Sequence, residues 1–179
     1  MKRITTLLIA VLAIAGLLPG ALPAYALSFA PPDTEETIHC APGTARVCAG
    51  GLKSEKIIGT LGKDIIDAGG GEDYVLGKRG GDYIEGAEGA DMLVGSFGNN
   101  VLMGGAGYDY LEGRNGSDVF WGGTYKDYVF ASGGDDVIHF GGDTAHDYAE
   151  CGLGRDTVYV GASGEDDLLG CEIIVKPKK

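Results

Sequence analysis

A nine-residue period running from Gly59 to His139 constrains this chain more than any other feature. In blocks of nine from Gly59, the sixth place holds Asp64, Asp73, Asp82, Asp91, Asn100, Asp109, Asp118, Asp127 and Asp136. The eighth place holds Ile66, Val75, Ile84, Leu93, Leu102, Leu111, Phe120, Val129 and Ile138. The first place is glycine except at Ala68 and Ala131, and the fourth is glycine except at Tyr125. A fixed period of this kind marks a repeat architecture in which each unit buries its apolar face only against its neighbours. The 33 glycines among 179 residues would otherwise point to disorder, but their phase assigns them to turns.

One block, Gly104 to Glu112, shows the local logic. Its glycine-rich half makes a tight turn, because glycine reaches positive φ without a steric penalty. Tyr110-Leu111-Glu112 reads as a three-residue strand, with Leu111 on one face and its two neighbours on the other. Nine residues cannot close a coil, but two blocks can. Turn, strand, turn, strand gives an 18-residue coil with two facing strands. Stacked coils then form two parallel sheets roughly 10 Å apart, filled by the eighth-place side chains.

So thin a core needs help. One assured core residue per block does not offset the entropy of ordering nine. Equivalent turns recur along the stack at about 4.8 Å. They form one column of Asp64, Asp82, Asn100, Asp118 and Asp136, and another of Asp73, Asp91, Asp109 and Asp127. Unpaired carboxylates ~5 Å apart repel by roughly 3 kcal/mol at an effective dielectric of 20. A hard divalent cation between the turns reverses that sign. Ca²⁺ accepts carboxylate and carbonyl oxygens in flexible geometry, whereas Mg²⁺ demands a tighter octahedron. Transition metals favour His or Cys, and the columns contain neither.

These blocks resemble the repeats-in-toxin (RTX, haemolysin-type) calcium-binding proteins, whose nonapeptide is Gly-Gly-x-Gly-x-Asp-x-apolar-x. The likeness covers 59–139, with weaker echoes at 50–58, where Glu55 stands at the Asp place, and at 142–159. It implies an all-β fold, a right-handed parallel β-roll. It also implies several Ca²⁺ ions held by Asp64, Asp73, Asp82, Asp91, Asp109, Asp118, Asp127 and Asp136. Asn100 keeps an oxygen but lacks the charge, so it is expected to be a weakened ligand. Tyr125 places the turn 122–127 outside the pattern. Many family members use an uncleaved C-terminal export signal and avoid cysteine. This chain looks more like short stand-alone secreted forms, on the strength of Cys151-Gly152-Leu153-Gly154-Arg155-Asp156.

The ends are read separately. Lys2-Arg3, the apolar run Ile4–Leu18 and Ala24-Tyr25-Ala26 have the order of a secretory signal peptide at 1–26. A membrane anchor is the competing reading, and Pro19, Gly20 and Pro23 disfavour it. No later stretch has the apolar length of a membrane span, so the mature chain is expected to have none. The expected location is extracellular, after export from a bacterial cell. Residues 27–49 read as a polar leader and N-terminal cap, 50–159 as the roll, and 160–179 as a C-terminal cap with a basic tail. The period slips by two residues at Phe140-Gly141. Four cysteines allow three pairings. The expectation is two local pairs, Cys40 with Cys48 and Cys151 with Cys171, closing the caps of an exported protein.

The formal charge of −12 becomes −14 once Lys2 and Arg3 leave with the leader. That repels nucleic acid and favours cations. No His-Glu-x-x-His and no Gly-x-Ser-x-Gly is present, and His39, His139 and His146 are scattered, so no enzyme is expected. The alternative is an adhesive or ligand-binding module. Tyr74, Met92, Tyr110 and Tyr128 share the seventh place and would form an outward row. Strand preference for aromatic and β-branched residues accounts for that row better than a binding role does. A cell-surface or carbohydrate partner, or self-association, would use it.

Overall fold

The computed structural model describes residues 36–42, 47–141, 143–161 and 165–177. The leader expected at 1–26 lies outside the described residues, as does the segment 27–35.

The chain winds as a parallel β-solenoid of about seven turns with no helix among the described residues. On one side stand β1 (Thr37–His39), β3 (Lys56–Ile58), β5 (Tyr74–Arg79), β7 (Met92–Phe97), β9 (Tyr110–Asn115), β11 (Tyr128–Gly133), β13 (Tyr148–Glu150) and β15 (Asp167–Leu169). Facing them are β2 (Cys48–Ala49), β4 (Ile65–Asp67), β6 (Tyr83–Glu88), β8 (Val101–Ala106), β10 (Val119–Thr124), β12 (Val137–His139), β14 (Thr157–Tyr159) and β16 (Ile173–Val175). Each sheet has eight strands, and each strand pairs with those one coil away, as two blocks per coil require. Tyr74, Met92, Tyr110 and Tyr128 are in register across β5, β7, β9 and β11. Beyond Phe140 the step lengthens, so that Tyr128 pairs with Tyr148 and Val137 with Thr157, the slip read in the sequence.

The eighth-place side chains from Ile57 to Val158 are wholly buried and form a single file of core residues between the sheets. The first place also faces inward, which the period did not reveal. It is glycine in the middle coils. Towards the C-terminus it carries a side chain: Ala131, Phe140, Cys151 and Val160 all join the core.

The central strands are six residues long, twice the expected three. Pairing continues past the first-place glycine because the chain bends at the second place instead of turning away. That bend requires positive φ, and residues other than glycine supply it: Lys78 (82°), Ala87 (75°), Ser96 (83°), Arg114 (79°) and Ser132 (76°). Left-handed backbone costs an L-residue roughly 1–2 kcal/mol. The ladder bonds on either side hold it there, as in the pairing of Lys78 with Ser96 and of Ser96 with Arg114.

Both disulfides form as expected. Cys40–Cys48 spans 5.4 Å between Cα atoms and Cys151–Cys171 spans 5.2 Å. Cys40 follows β1 while Cys48 opens β2, and Cys151 follows β13 while Cys171 precedes β16. Cys40–Cys48 therefore joins the two sheets within the first described coil, and Cys151–Cys171 ties the last described coil to the one before it.

Candidate metal centre

The sixth-place residues occupy the last position of each turn, just before a strand begins, and all are buried. From Asp73 onward each uses one side-chain oxygen to hold the coil before it, whereas both Asp64 oxygens accept from Thr60 of its own turn. The backbone N–H of Asp73 donates to Asp91 Oδ1 (2.8 Å), that of Asp91 to Asp109 Oδ1 (2.9 Å), and that of Asp109 to Asp127 Oδ1 (3.1 Å). The opposite column repeats this: Asp64 N–H donates to Asp82 Oδ1 (2.9 Å), Asp82 to Asn100 Oδ1 (3.0 Å), Asn100 to Asp118 Oδ1, and Asp118 to Asp136 Oδ1 (both 2.7 Å or shorter). All nine residues singled out by the period thus stand in two continuous ladders.

The ladders run further than the period. Glu55 N–H donates to Asp73 Oδ1, placing Glu55 at the N-terminal end of one ladder. Asp147 and Asp156 continue the columns after the slip, accepting from Asp127 and Asp136. Asp166 and Glu172 end them, accepting from Asp147 and Asp156. Asp166 and Glu172 were missed because the nine-residue phase is lost after Val160. The sequence signal is an acidic residue shortly before each of the last two apolar runs, Leu168-Leu169 and Ile173-Ile174-Val175.

The second oxygen defines the chemistry. Oδ2 of Asp82, Asp91, Asp109, Asp118, Asp127, Asp136 and Asp156 is buried without a hydrogen-bond donor. A buried acceptor left this way costs about 1–3 kcal/mol, and more when charged. Each of these oxygens in the middle coils faces the bare Cα of its own first-place glycine. A Cβ on Gly104 would lie 2.5 Å from Asp109 Oδ2 and 2.5 Å from the Gly122 carbonyl oxygen of the next coil. On Gly77 it would lie 2.6 Å from Asp82 Oδ2 and 2.9 Å from the Gly95 carbonyl oxygen. The first-place glycine thus keeps open a cradle lined by a carboxylate oxygen and a main-chain carbonyl.

Burial pushes these carboxyls far above the usual range: Asp91 to about 8, Asp109 to about 7, Asp127 to about 9 and Asp136 to about 7. Asp82, Asp118 and Asp147 are raised to about 6, again chiefly by burial. Neighbouring carboxylates add to the rise at Asp91 and Asp127.

Among the described residues no three His, Cys, Asp or Glu side chains converge as a metal group. A cation here would be held by carboxylate and carbonyl oxygens together, without nitrogen or sulfur. That donor set fits Ca²⁺, which takes 6–8 oxygens and tolerates irregular geometry.

Outside the columns, the seventh-place row Tyr74, Met92, Tyr110 and Tyr128 is half-buried. The Tyr110 ring stacks on Phe130 at 5.0 Å, and the ammonium groups of Lys56 and Lys126 lie over Tyr74 and Tyr128. The opposite sheet carries a stack that the sequence reading missed. Trp121, His139 and Tyr159 are ninth-place residues whose rings lie face to face at 3.9 and 4.5 Å. Their faces cover one another, so they present edges outward.

A parallel solenoid whose glycine turns stack buried, cation-seeking carboxylates defines the class of calcium-binding β-rolls. The family model described as the RTX calcium-binding nonapeptide repeat matches the chain in four copies, at residues 50–84, 76–111, 85–120 and 112–145. The chain belongs to that family, a structural calcium-binding fold. No curated protein and no solved structure matches it.

Proposed function

We propose that this protein is an exported calcium-binding β-roll that folds when it meets calcium outside the cell. The observation that carries the reading is the set of buried Oδ2 oxygens that lack a donor and face glycine cradles. Asp64, Asp73, Asp82, Asp91, Asp109, Asp118, Asp127 and Asp136 would hold the ions, together with carbonyls of the glycine turns. Bound Ca²⁺ supplies positive charge that offsets carboxylate repulsion and joins one coil to the next. The protein's own part is to desolvate the carboxylates, align them in columns and fix one oxygen of each to the preceding coil.

Without a cation, the same burial works against the fold. A ligand that binds only the folded state stabilises it by mass action. Extracellular calcium modules bind at about 10⁻⁴–10⁻³ M. Such sites stay empty at low cytoplasmic calcium and fill after export. The leader-like 1–26 and the two disulfides support export to an oxidising compartment.

The test is calcium stoichiometry by isothermal titration calorimetry in the oxidised protein and in the Asp91→Ala, Asp109→Ala double variant. The expected result is fewer ions per chain in the variant. An unchanged count removes the assignment of these residues.

A further inference from the structure

Asn100 occupies the sixth place of its column, yet its side chain does what no aspartate there does. We infer that Asn100 is not a calcium ligand but a metal-free hydrogen-bonded rung that divides its column into two runs of calcium sites. This inference rests on the calcium-binding reading above.

The amide's orientation is fixed by its neighbour. Asn100 Oδ1 accepts from the Asp82 backbone N–H at 3.0 Å, the bond that the aspartates from Asp73 to Asp156 also make to the preceding coil. Turning the amide over would set an NH₂ against that N–H, donor against donor. Nδ2 therefore stands where the aspartates place Oδ2. A Cβ on Gly95 would lie 2.7 Å from Asn100 Nδ2, just as one on Gly104 would meet Asp109 Oδ2. The cradle is present, and it is filled by a donor.

Both protons of that donor are used. Nδ2 donates to the Gly98 carbonyl oxygen at 2.9 Å and to Asp118 Oδ1 at 3.0 Å. The first bond occupies a carbonyl of the turn's own fourth-place glycine. The second ties Asn100 to the next coil. The electropositive NH₂ thus stands in the place of a cation: it donates to a carboxylate oxygen and links coils. A Ca²⁺ ion in the same cradle would face N–H groups instead of an oxygen. The rung leaves Asp64 and Asp82 on one side, and Asp118, Asp136 and Asp156 on the other.

Calcium stoichiometry of the wild type, Asn100→Asp and Asn100→Ala tests this by calorimetry. The side-chain amide of Asn100 in the calcium-saturated wild type is followed by NMR. The expected results are more calcium per chain in Asn100→Asp and an unchanged count in Asn100→Ala. The Asn100 Nδ2 protons are expected to exchange with solvent far more slowly than those of an exposed asparagine. A lower count in Asn100→Ala, an unchanged count in a folded Asn100→Asp, or Nδ2 protons exchanging at the free rate would each overturn the rung. If Asn100→Asp does not fold, Asn100→Ala and the wild-type amide still decide. A wild type that binds no calcium fails the functional reading itself, before any variant is compared.

Discussion

The two columns of turns are built from one nonapeptide and differ at one rung. In the column of Asp73, Asp91, Asp109 and Asp127 every rung is a carboxylate, and burial together with neighbouring charge pushes Asp91 to about 8 and Asp127 to about 9. In the column interrupted by Asn100, burial raises Asp82 and Asp118 to about 6 and Asp136 to about 7, and hydrogen bonds from the Asn100 backbone N–H and then its side-chain amide pull Asp118 down. The two most strongly raised carboxyls, Asp91 and Asp127, thus both lie in the column without the amide. At Asn100 a rung forms through the amide's own hydrogen bonds, to the coil before it, to its own turn and to the coil after it. On the proposal made above, a rung needs something electropositive between one coil's carboxylate oxygen and the next coil, and an ion, an amide or a proton would fill that need.

Closing a cradle in the all-carboxylate column is the most severe way to break the comparison. Gly104→Val sets a branched side chain against Asp109 Oδ2 and the Gly122 carbonyl. It should cost about 3 kcal/mol or more, at the upper end for overpacking, read as a lowered urea midpoint in saturating calcium. Ala131→Gly, at a first place that already carries a side chain, should cost much less.

Copying the amide into the other column sharpens the comparison. Asp109→Asn removes a buried charge and supplies a donor. With calcium at about 100 times its Kd, losing one site should cost roughly 2.7 kcal/mol. Without calcium the sign should reverse, and the variant should be more stable than the wild type in a urea titration with EGTA. A loss under both conditions would contradict the equivalence of amide and ion.

Protons should also substitute for the ion. The carboxyls named above titrate near 4 when unfolded and at about 6 to 9 in the cation-free fold. The fold therefore binds more protons than the unfolded chain across that window, and stability falls as pH rises. This contribution is fully present below about pH 4 and is lost as pH climbs through the raised values. In EGTA, β signal should grow as pH is lowered from 9 towards 5. Near pH 5, where protons hold the cation-free roll folded, calcium binding should release protons, more of them in the wild type than in Asp109→Asn.

The smallest effect serves as a control on both columns. Lys78→Gly relieves a positive φ of 82° without touching a ladder carboxylate. It should stabilise the roll by about 0.5–1 kcal/mol, equally with and without calcium, in paired urea titrations.

Much of this was legible in the sequence because a solenoid repeats its physics. A two-strand coil converts the phase of Asp64 to Asp136 directly into columns, and that of Ile66 to Ile138 into a core file. What escaped reading lay where phase carries no information. The six-residue strands depend on positive φ at Lys78, Ala87, Ser96, Arg114 and Ser132, residue types that give no sign of it. The Trp121, His139 and Tyr159 stack is hidden by the slip at Phe140, which moves Tyr159 out of the nine-residue count. Asp166 and Glu172 end the ladders at altered spacings, since the terminal coils adjust their length to close the stack. At Asn100 the residue was visible, but the direction of its amide follows only from the Asp82 N–H beside it.

Far-UV circular dichroism of the oxidised protein at pH 7.5, titrated with Ca²⁺ against EGTA and with Mg²⁺ as control, tests the central claim most directly. The account predicts weak β signal in EGTA, a saturable gain with Ca²⁺, and little change with Mg²⁺. A full β spectrum in EGTA that calcium leaves unaltered would contradict it. The roll would then be held by its core and disulfides alone.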